Sequence, residues 1–357
     1  MENPEVLALL QSLDSISGIS GFEGEIGDAI AAHMAAITDE AYTDALGNRV
    51  FVKKGKNPDL RLMISAHMDE IGYLVHDIRD DGCVVFLPVG LQDPRLIVNQ
   101  VLTIYTSKGK VSGVTGGFKP IHQDKEVGRA AGFADSKIDV GTSSRAETEA
   151  LGVQIGDMVV NERAGRMLGE RIYCGKSVDN RSGCAAMILA MRLLRDVKTE
   201  ATVYCCATVQ EEIGVKGARV AARSIKPDVA ICIDVGFAGE SDAMNPDCSR
   251  AYLGKGPGIQ LYDWNPDFFL GNITLARMRD ALIGAARRQD IPFQLIAELR
   301  GGTDAAEISL SGDGVLTGGL AIPERYIHTS VGTVNIDDVR WTAELTAAFV
   351  KELKSKL

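Results

Sequence analysis

The chain has 357 residues, 45% of them hydrophobic and 24% charged, with 11 prolines. That composition excludes a disordered, collagen-like or coiled-coil chain, and the length suffices for a substantial core and about two domains. Its 38 basic and 48 acidic residues give a net charge of −10 without any basic block, which excludes nucleic acid and anionic membrane as natural partners.

The opening MENPEVLALL carries acids where a secretory leader would carry Lys or Arg, so no signal peptide is expected. No apolar run approaches the roughly 20 residues of a membrane span. Seven cysteines are an odd number, and several lie in apolar runs such as Val203-Tyr204-Cys205-Cys206-Ala207. They read as buried thiols of a reducing compartment, and a cytoplasmic location is expected.

In chain order, a first helix is expected from Asn3, with Asn3 as cap, Pro4 in the first turn, and Val6, Leu7, Leu9, Leu10 and Leu13 following. A second helix is expected over 25–37, with His33 at a core or interface position. RLMISA (61–66) reads as a buried strand. Between 72 and 164 the texture changes to short Val- and Ile-rich runs separated by turn signals, with one helical segment at 144–151. His76 falls in one of these runs and reads as core or interface. After Ser177 strands and helices alternate again: helix 183–194, strands 202–209 and 229–233, helix 274–289, strand 292–296 and helix 340–354. The expected fold is an α/β sandwich, residues 1–71 and 165–357, interrupted by a small β domain, residues 72–164.

Three of the apolar strands run into polar residues: RLMISA into His67-Met68-Asp69-Glu70, TVYCCATV into Gln210-Glu211-Glu212, and VAICI into Asp234. In open α/β sheets, ligands sit outside the carboxyl ends of strands. Asp179 precedes a helix, and His328 follows the apolar run 319–323. His67, Asp179, Glu212, Asp234 and His328 form a set of N and O donors that suits zinc, cobalt or manganese. Three carboxylates contribute −3 and two divalent ions +4, a balance that one hydroxide completes, so two metals are expected. Glu211 and Asp69 remain beside these donors, matching the need for a general base and for a partner to a ligating histidine. Taken singly, an Asp before a helix is as often a cap, and a Glu-Glu pair is usually a solvated loop.

AHMDEIG (66–72), SVDNRSG (177–183), QEEIGVKGA (210–218), IDVG (233–236), GGTDA (301–305) and RYIHTS (325–330) occur in this order. Together they resemble the tetrahedral aminopeptidases, the dinuclear-metal glutamyl, leucyl, lysyl and deblocking enzymes, some of whose members have been labelled cellulases or endoglucanases. The resemblance implies a zinc-exopeptidase-like catalytic domain, a β insert that makes dimer contacts, and dimers assembled into a hollow dodecamer. It implies that His67 and Asp234 hold one metal and Glu212 and His328 the other, with Asp179 bridging. It makes Glu211 the general base and has Asp69 orient His67. The metals expected are two divalent ions, foremost zinc. The loop 116–124 resembles a segment that reaches a neighbouring subunit's active site, which brings in His122 and Gln123. The pocket around 301–309, including Gly302, Thr303 and Asp304, is the expected substrate-binding region. The function expected is release of N-terminal residues from short peptides. The alternatives are a dinuclear-metal deacylase or glycosidase and a non-catalytic scaffold. Glycosidases usually work with two carboxylates and no metal, and a scaffold would be marked by loss of Glu211 or a ligand.

Overall fold

A computed structural model describes residues 2–116, 132–239, 251–299 and 301–357. The first part of the chain forms α1 (Asn3–Asp14), α2 (Gly24–Met34), β1 (Glu40–Thr43), β2 (Arg49–Lys53) and β3 (Asn57–His67). There follow β4 (Gly72–Ile78), β5 (Val84–Val89), β6 (Val101–Thr106), β7 (Gly109–Gly116), β8 (Lys137–Asp139), α3 (Arg145–Ala150) and β9 (Met158–Asn161). The rest comprises β10 (Arg166–Leu168), β11 (Ile172–Gly175), α4 (Val178–Leu193), β12 (Ala201–Thr208), α5 (Lys216–Ile225) and β13 (Val229–Phe237). It ends with β14 (Gly258–Asn265), β15 (Leu270–Ile273), α6 (Ala276–Arg288), β16 (Gln294–Leu299), α7 (Ala305–Ser309), β17 (Leu316–Arg325), β18 (Gly332–Asn335) and α8 (Ile336–Glu352).

The chain divides into two units. One comprises Met1–Asp69, Gly165–Ile327 and Val331–Leu357; the other comprises Glu70–Ala164 and His328–Ser330. Among the described residues the first unit holds a mixed sheet ordered β1-β2-β12-β3-β13-β17-β18-β11-β10, with β14, β15 and β16 continuing from β17. The central strands β12, β3, β13 and β17 are mutually parallel. Strands covered on both faces read as continuous apolar runs, and β3, β12 and β13 show why. Leu62, Ile64, Ala66, Val203, Cys205, Ile231 and Ile233 face one apolar core with α4 and α8. Met63, Cys206 and Ala230 face a second core with Ala218, Ala221 and Ile225 of α5. Helix α4 is buried almost all round, from Asn180 to Met191, which makes it the central pillar of the first face. The result is the expected α/β sandwich.

In the second unit β4-β5-β8-β7-β6-β9 close into a barrel around Val75, Val84, Phe86, Leu102, Ile104, Ile138 and Val159. Short strands in an open sheet would leave edges exposed. The β4–β9 pairing, Tyr73 opposite Val159, removes them by joining segments about 85 residues apart. Ser144 caps α3 by accepting from the Glu147 amide. Other expectations shift locally. Glu2, not Asn3, occupies the cap position of α1, and no side chain caps it. Helix α2 stops at Met34, three residues short of the expected end. His33 is half-buried beside Arg192 (Nδ1 to Nη2, 3.3 Å), and His76 is exposed on the outer face of β4. No helix among the described residues is long and apolar enough to cross a membrane.

Candidate active site

Because β12, β3, β13 and β17 are parallel, their carboxyl ends share one edge of the first unit. His67 is the last residue of β3, and Thr208, its register partner, is the last of β12. Asp234 lies in the second half of β13, and Asp179 opens α4. The His67 Nε2 is 3.0 Å from Asp179 Oδ1 and 3.5 Å from Asp234 Oδ1. Donor atoms of these three residues lie within 4.8 Å of one another, and carboxylate oxygens of Asp179 and Glu212 meet the same limit. Asp179 is therefore common to two groupings, the position a bridging ligand needs.

The other face of the His67 ring is fixed. Its Nδ1 lies 3.1 Å from the Asp69 carbonyl oxygen and 3.5 Å from Asp69 Oδ1. A proton held on Nδ1 by these oxygens leaves Nε2 as the nitrogen that faces Asp179 and Asp234. Burial opposes protonation of this ring, but Asp234, Asp179 and Asp69 together hold its pKa well above the ordinary value. The donor set, an imidazole with converging carboxylates, fits a divalent ion.

The segment after β12 is a tightly held turn. Four consecutive amides donate to buried side chains: Val209 to Asn48 Oδ1 (3.0 Å), Gln210 to Glu23 Oε1 (3.0 Å), Glu211 to Asp69 Oδ1 (3.1 Å) and Glu212 to Asp69 Oδ2 (3.2 Å). Ser20 Oγ donates to Asp69 Oδ2 at 2.6 Å. The turn closes by Gly217 N–H to the Val209 carbonyl, and Asn48 Nδ2 donates to the Gly217 carbonyl. A Cβ at Gly217 would sit 2.4 Å from Asn48 Oδ1, so only glycine fits there.

Burial raises the Asp69 pKa, but bonds to His67, Ser20 and the Glu211 amide outweigh it and leave the carboxyl below its ordinary value. Glu211 is the opposite case. Burial, with Asp234, Glu212 and Asp304 nearby, pushes its pKa well above the usual carboxylate range against the pull of His67. The two neighbouring carboxyls thus differ in proton affinity, Asp69 low and Glu211 high.

The GGTDA segment turns its side chains inward. Asp304 Oδ2 accepts from Thr208 Oγ1 at 2.5 Å, and Thr303 Oγ1 donates to Asp263 Oδ2 at 3.2 Å. Burial first, with Asp234 and Asp69 adding, moves Asp304 up to about 7, and burial moves Asp263 up to about 6. Gly302 abuts Leu270: a Cβ there would meet Leu270 Cδ2 at 3.0 Å. His122 and Gln123 lie outside the described residues. His328, grouped with the second unit, has its Nδ1 2.7 Å from the Leu91 carbonyl oxygen. The sequence reading did not single out Ser20, Glu23 and Asn48. They sit in the loop before α2 and the turn before β2, where the only signal is a cluster of Gly, Ser and Asn between periodic segments.

A family model for the M42 glutamyl aminopeptidases matches residues 47–345. The lysyl aminopeptidase of Pyrococcus furiosus is 35% identical over 92% of this chain and 92% of its own length. Among solved structures, an aminopeptidase of Desulfurococcus kamchatkensis superposes with a TM-score of 0.91 at 35% identity, covering 98% of this chain and 96% of that one. The TET1 peptidase of Pyrococcus horikoshii, described as assembling into a tetrahedron or a large octahedral shell, gives 0.88 at 30% identity, covering 98% and 100%.

Proposed function

The chain belongs to the M42 glutamyl aminopeptidase family and is a peptidase, and from that premise we propose that it releases N-terminal residues from short peptides with two divalent ions and Glu211 as general base. The observation that supports this most is the convergence of His67, Asp179 and Asp234 at the strand ends beside the anchored Glu211-Glu212 turn. His67 and Asp234 would hold one ion and Glu212 and His328 the other, with Asp179 available to both. Zinc is the foremost candidate, with cobalt and manganese as alternatives for this N and O donor set.

When bound, the ions supply Lewis-acid chemistry: they acidify water and polarise the scissile carbonyl. The residues do the rest. Asp69, with its carboxylate fixed by Ser20 and two amides, keeps the Nδ1 proton of His67 in place. Glu211 accepts the proton of the attacking water on a carboxylate oxygen and returns it to the departing amine. Its raised proton affinity suits the second half of that task. A free α-amine is favoured by the surrounding carboxylates, since a site built for an amine rejects an analogue that leaves its polar groups unpaired.

We further propose that copies of the chain assemble, with a dodecamer built from dimers as the form implied by family. Each unit offers a surface for it. On the barrel, Val101 and Val114 are register partners and both are exposed. In the first unit, Leu299 pairs with Trp264, Ala297 with Tyr262, and Tyr262 with Ile273, so one uncharged apolar face runs across β16, β14 and β15. Phe269, 83% exposed, stacks edge-on against Trp264 at 6.1 Å. Chains of net charge −10 approach one another most readily where the surface carries no charge. The six cysteines among the described residues form no disulfide, which supports a cytoplasmic location. The deciding experiment is a panel of aminoacyl anilides assayed after chelation and after adding back zinc, cobalt or manganese. Hydrolysis that survives exhaustive chelation would refute the reading.

A further inference from the structure

Glu23 has no part in the metal-binding chemistry, yet it is 6% exposed and points at the turn that carries Glu211. Its Oε1 accepts the Gly21 amide at 2.8 Å and the Gln210 amide at 3.0 Å. Glu23 occupies the cap position of α2, but its side chain does not cap that helix. The carboxylate is spent instead across the fold, on a segment 187 residues away. Gln210 needs such a hold. Its φ is +53°, the left-handed region that a non-glycine residue leaves unless its surroundings over-determine it. The neighbouring amides are held by other residues, Val209 by Asn48 and Glu211 by Asp69. Gln210 is thus the one strained link in the four, and Glu23 is its acceptor.

We infer that Glu23 is a positioning residue for catalysis: by holding the Gln210 amide it fixes the backbone from which Glu211 reaches the reacting water. The inference rests on the reading of Glu211 as general base. If the Gln210 peptide relaxes out of its strained conformation, the 209–210 link rotates and re-aims the Glu211 side chain, even though the Glu211 amide keeps its own bond to Asp69. A displacement on the order of 1 Å at a catalytic group lowers turnover by up to about a hundredfold. The ligands stay where they are, because Glu212 remains bonded to Asp69 and His67 to both aspartates.

The test uses the full-length, metal-loaded enzyme with Glu23→Gln, Glu23→Asp and Glu211→Gln, an aminoacyl anilide as substrate, bound metal by elemental analysis, and amide exchange of peptides covering 208–214 by mass spectrometry. Glutamine keeps an acceptor at the same reach without the charge; aspartate keeps the charge but withdraws the acceptor by one methylene. Glu23→Asp is expected to lose at least about tenfold in kcat with KM within about twofold, unchanged metal content and faster exchange across 208–214. Glu23→Gln is expected to stay within about threefold of wild type on all counts. A merely structural carboxylate would leave the exchange of this turn and kcat alike in both variants. Glu23→Asp with wild-type kcat, or Glu23→Gln impaired as much as Glu23→Asp, overturns the inference while leaving the role of Glu211 standing. Wild-type kcat in Glu211→Gln refutes the general base itself, and the inference with it.

Discussion

Asp69→Asn removes the acceptor that organises the site, and its cost follows from the bonds the carboxylate makes. Oδ1 takes the Glu211 amide and faces His67 Nδ1; Oδ2 takes Ser20 Oγ and the Glu212 amide. Asparagine can keep one oxygen toward Glu211, but its amide group must then face Ser20 and the Glu212 N–H. The Ser20 hydroxyl can rotate and accept. The Glu212 N–H cannot, so a part-buried donor loses its acceptor, costing at most about 1–3 kcal/mol of stability. Separately, the partner of the His67 ring loses its charge. Disturbing such partners lowers metal affinity about 10- to 100-fold, or about 1.4–2.8 kcal/mol. The two effects are read apart: denaturant midpoints of the metal-free variant report the first, and calorimetric titration of metal-free protein with zinc the second. Unchanged zinc affinity in a variant with wild-type stability would show that Asp69 merely fills space.

The adjacent glutamates separate by role: Glu211→Gln should retain both ions and lose several orders of magnitude in rate, whereas Glu212→Gln should lose metal, and elemental analysis reversing that pattern would exchange the assignments. Asp338 provides a pH signature away from the metal ligands. Burial, partly offset by the Gly254 and Gly256 amides at 2.7 and 2.8 Å, pushes it from 3.8 up to about 7. A folded-state pKa above the unfolded one means its contribution is intact below about pH 4 and is lost as pH rises through about 7, a span of at most about 4 kcal/mol. Denaturant midpoints should therefore slope downward from pH 4 to 7 in the wild type and less so in Asp338→Asn; equal slopes would contradict the assignment. For assembly, replacing Leu295 and Leu299, 50% and 49% exposed on β16, by lysine should shrink the particle seen by light scattering while preserving turnover of a small anilide. An undiminished particle would place the contact elsewhere.

What the sequence made legible is what local chemistry encodes. The central strands are buried on both faces, so β3, β12 and β13 stand out as unbroken apolar runs, and the polar residues at their ends mark the edge where the site forms. What it concealed depends on pairings remote in the chain. Strand β14 was invisible because its buried face is polar: Gln260 donates to Glu298 Oε2 at 3.3 Å, and Asp263 serves Thr303 and the Asn272 amide, so burial there breaks the apolar rhythm instead of sustaining it. Helix α5 did carry its signal, Ala218, Ala221, Ala222 and Ile225 at helical spacing, but small alanines weigh little in a hydrophobic pattern. The same distinction divides the site. Glu211 and Glu212 could be found next to a strand end, whereas the residues that hold their backbone come from two other loops: Glu23 before α2 and Asn48 before β2. A donor set is written in residue types at spacings a reader can test. Its rigidity is written in hydrogen bonds between segments more than 140 residues apart, and these become apparent only once the sheet has brought the strand ends together.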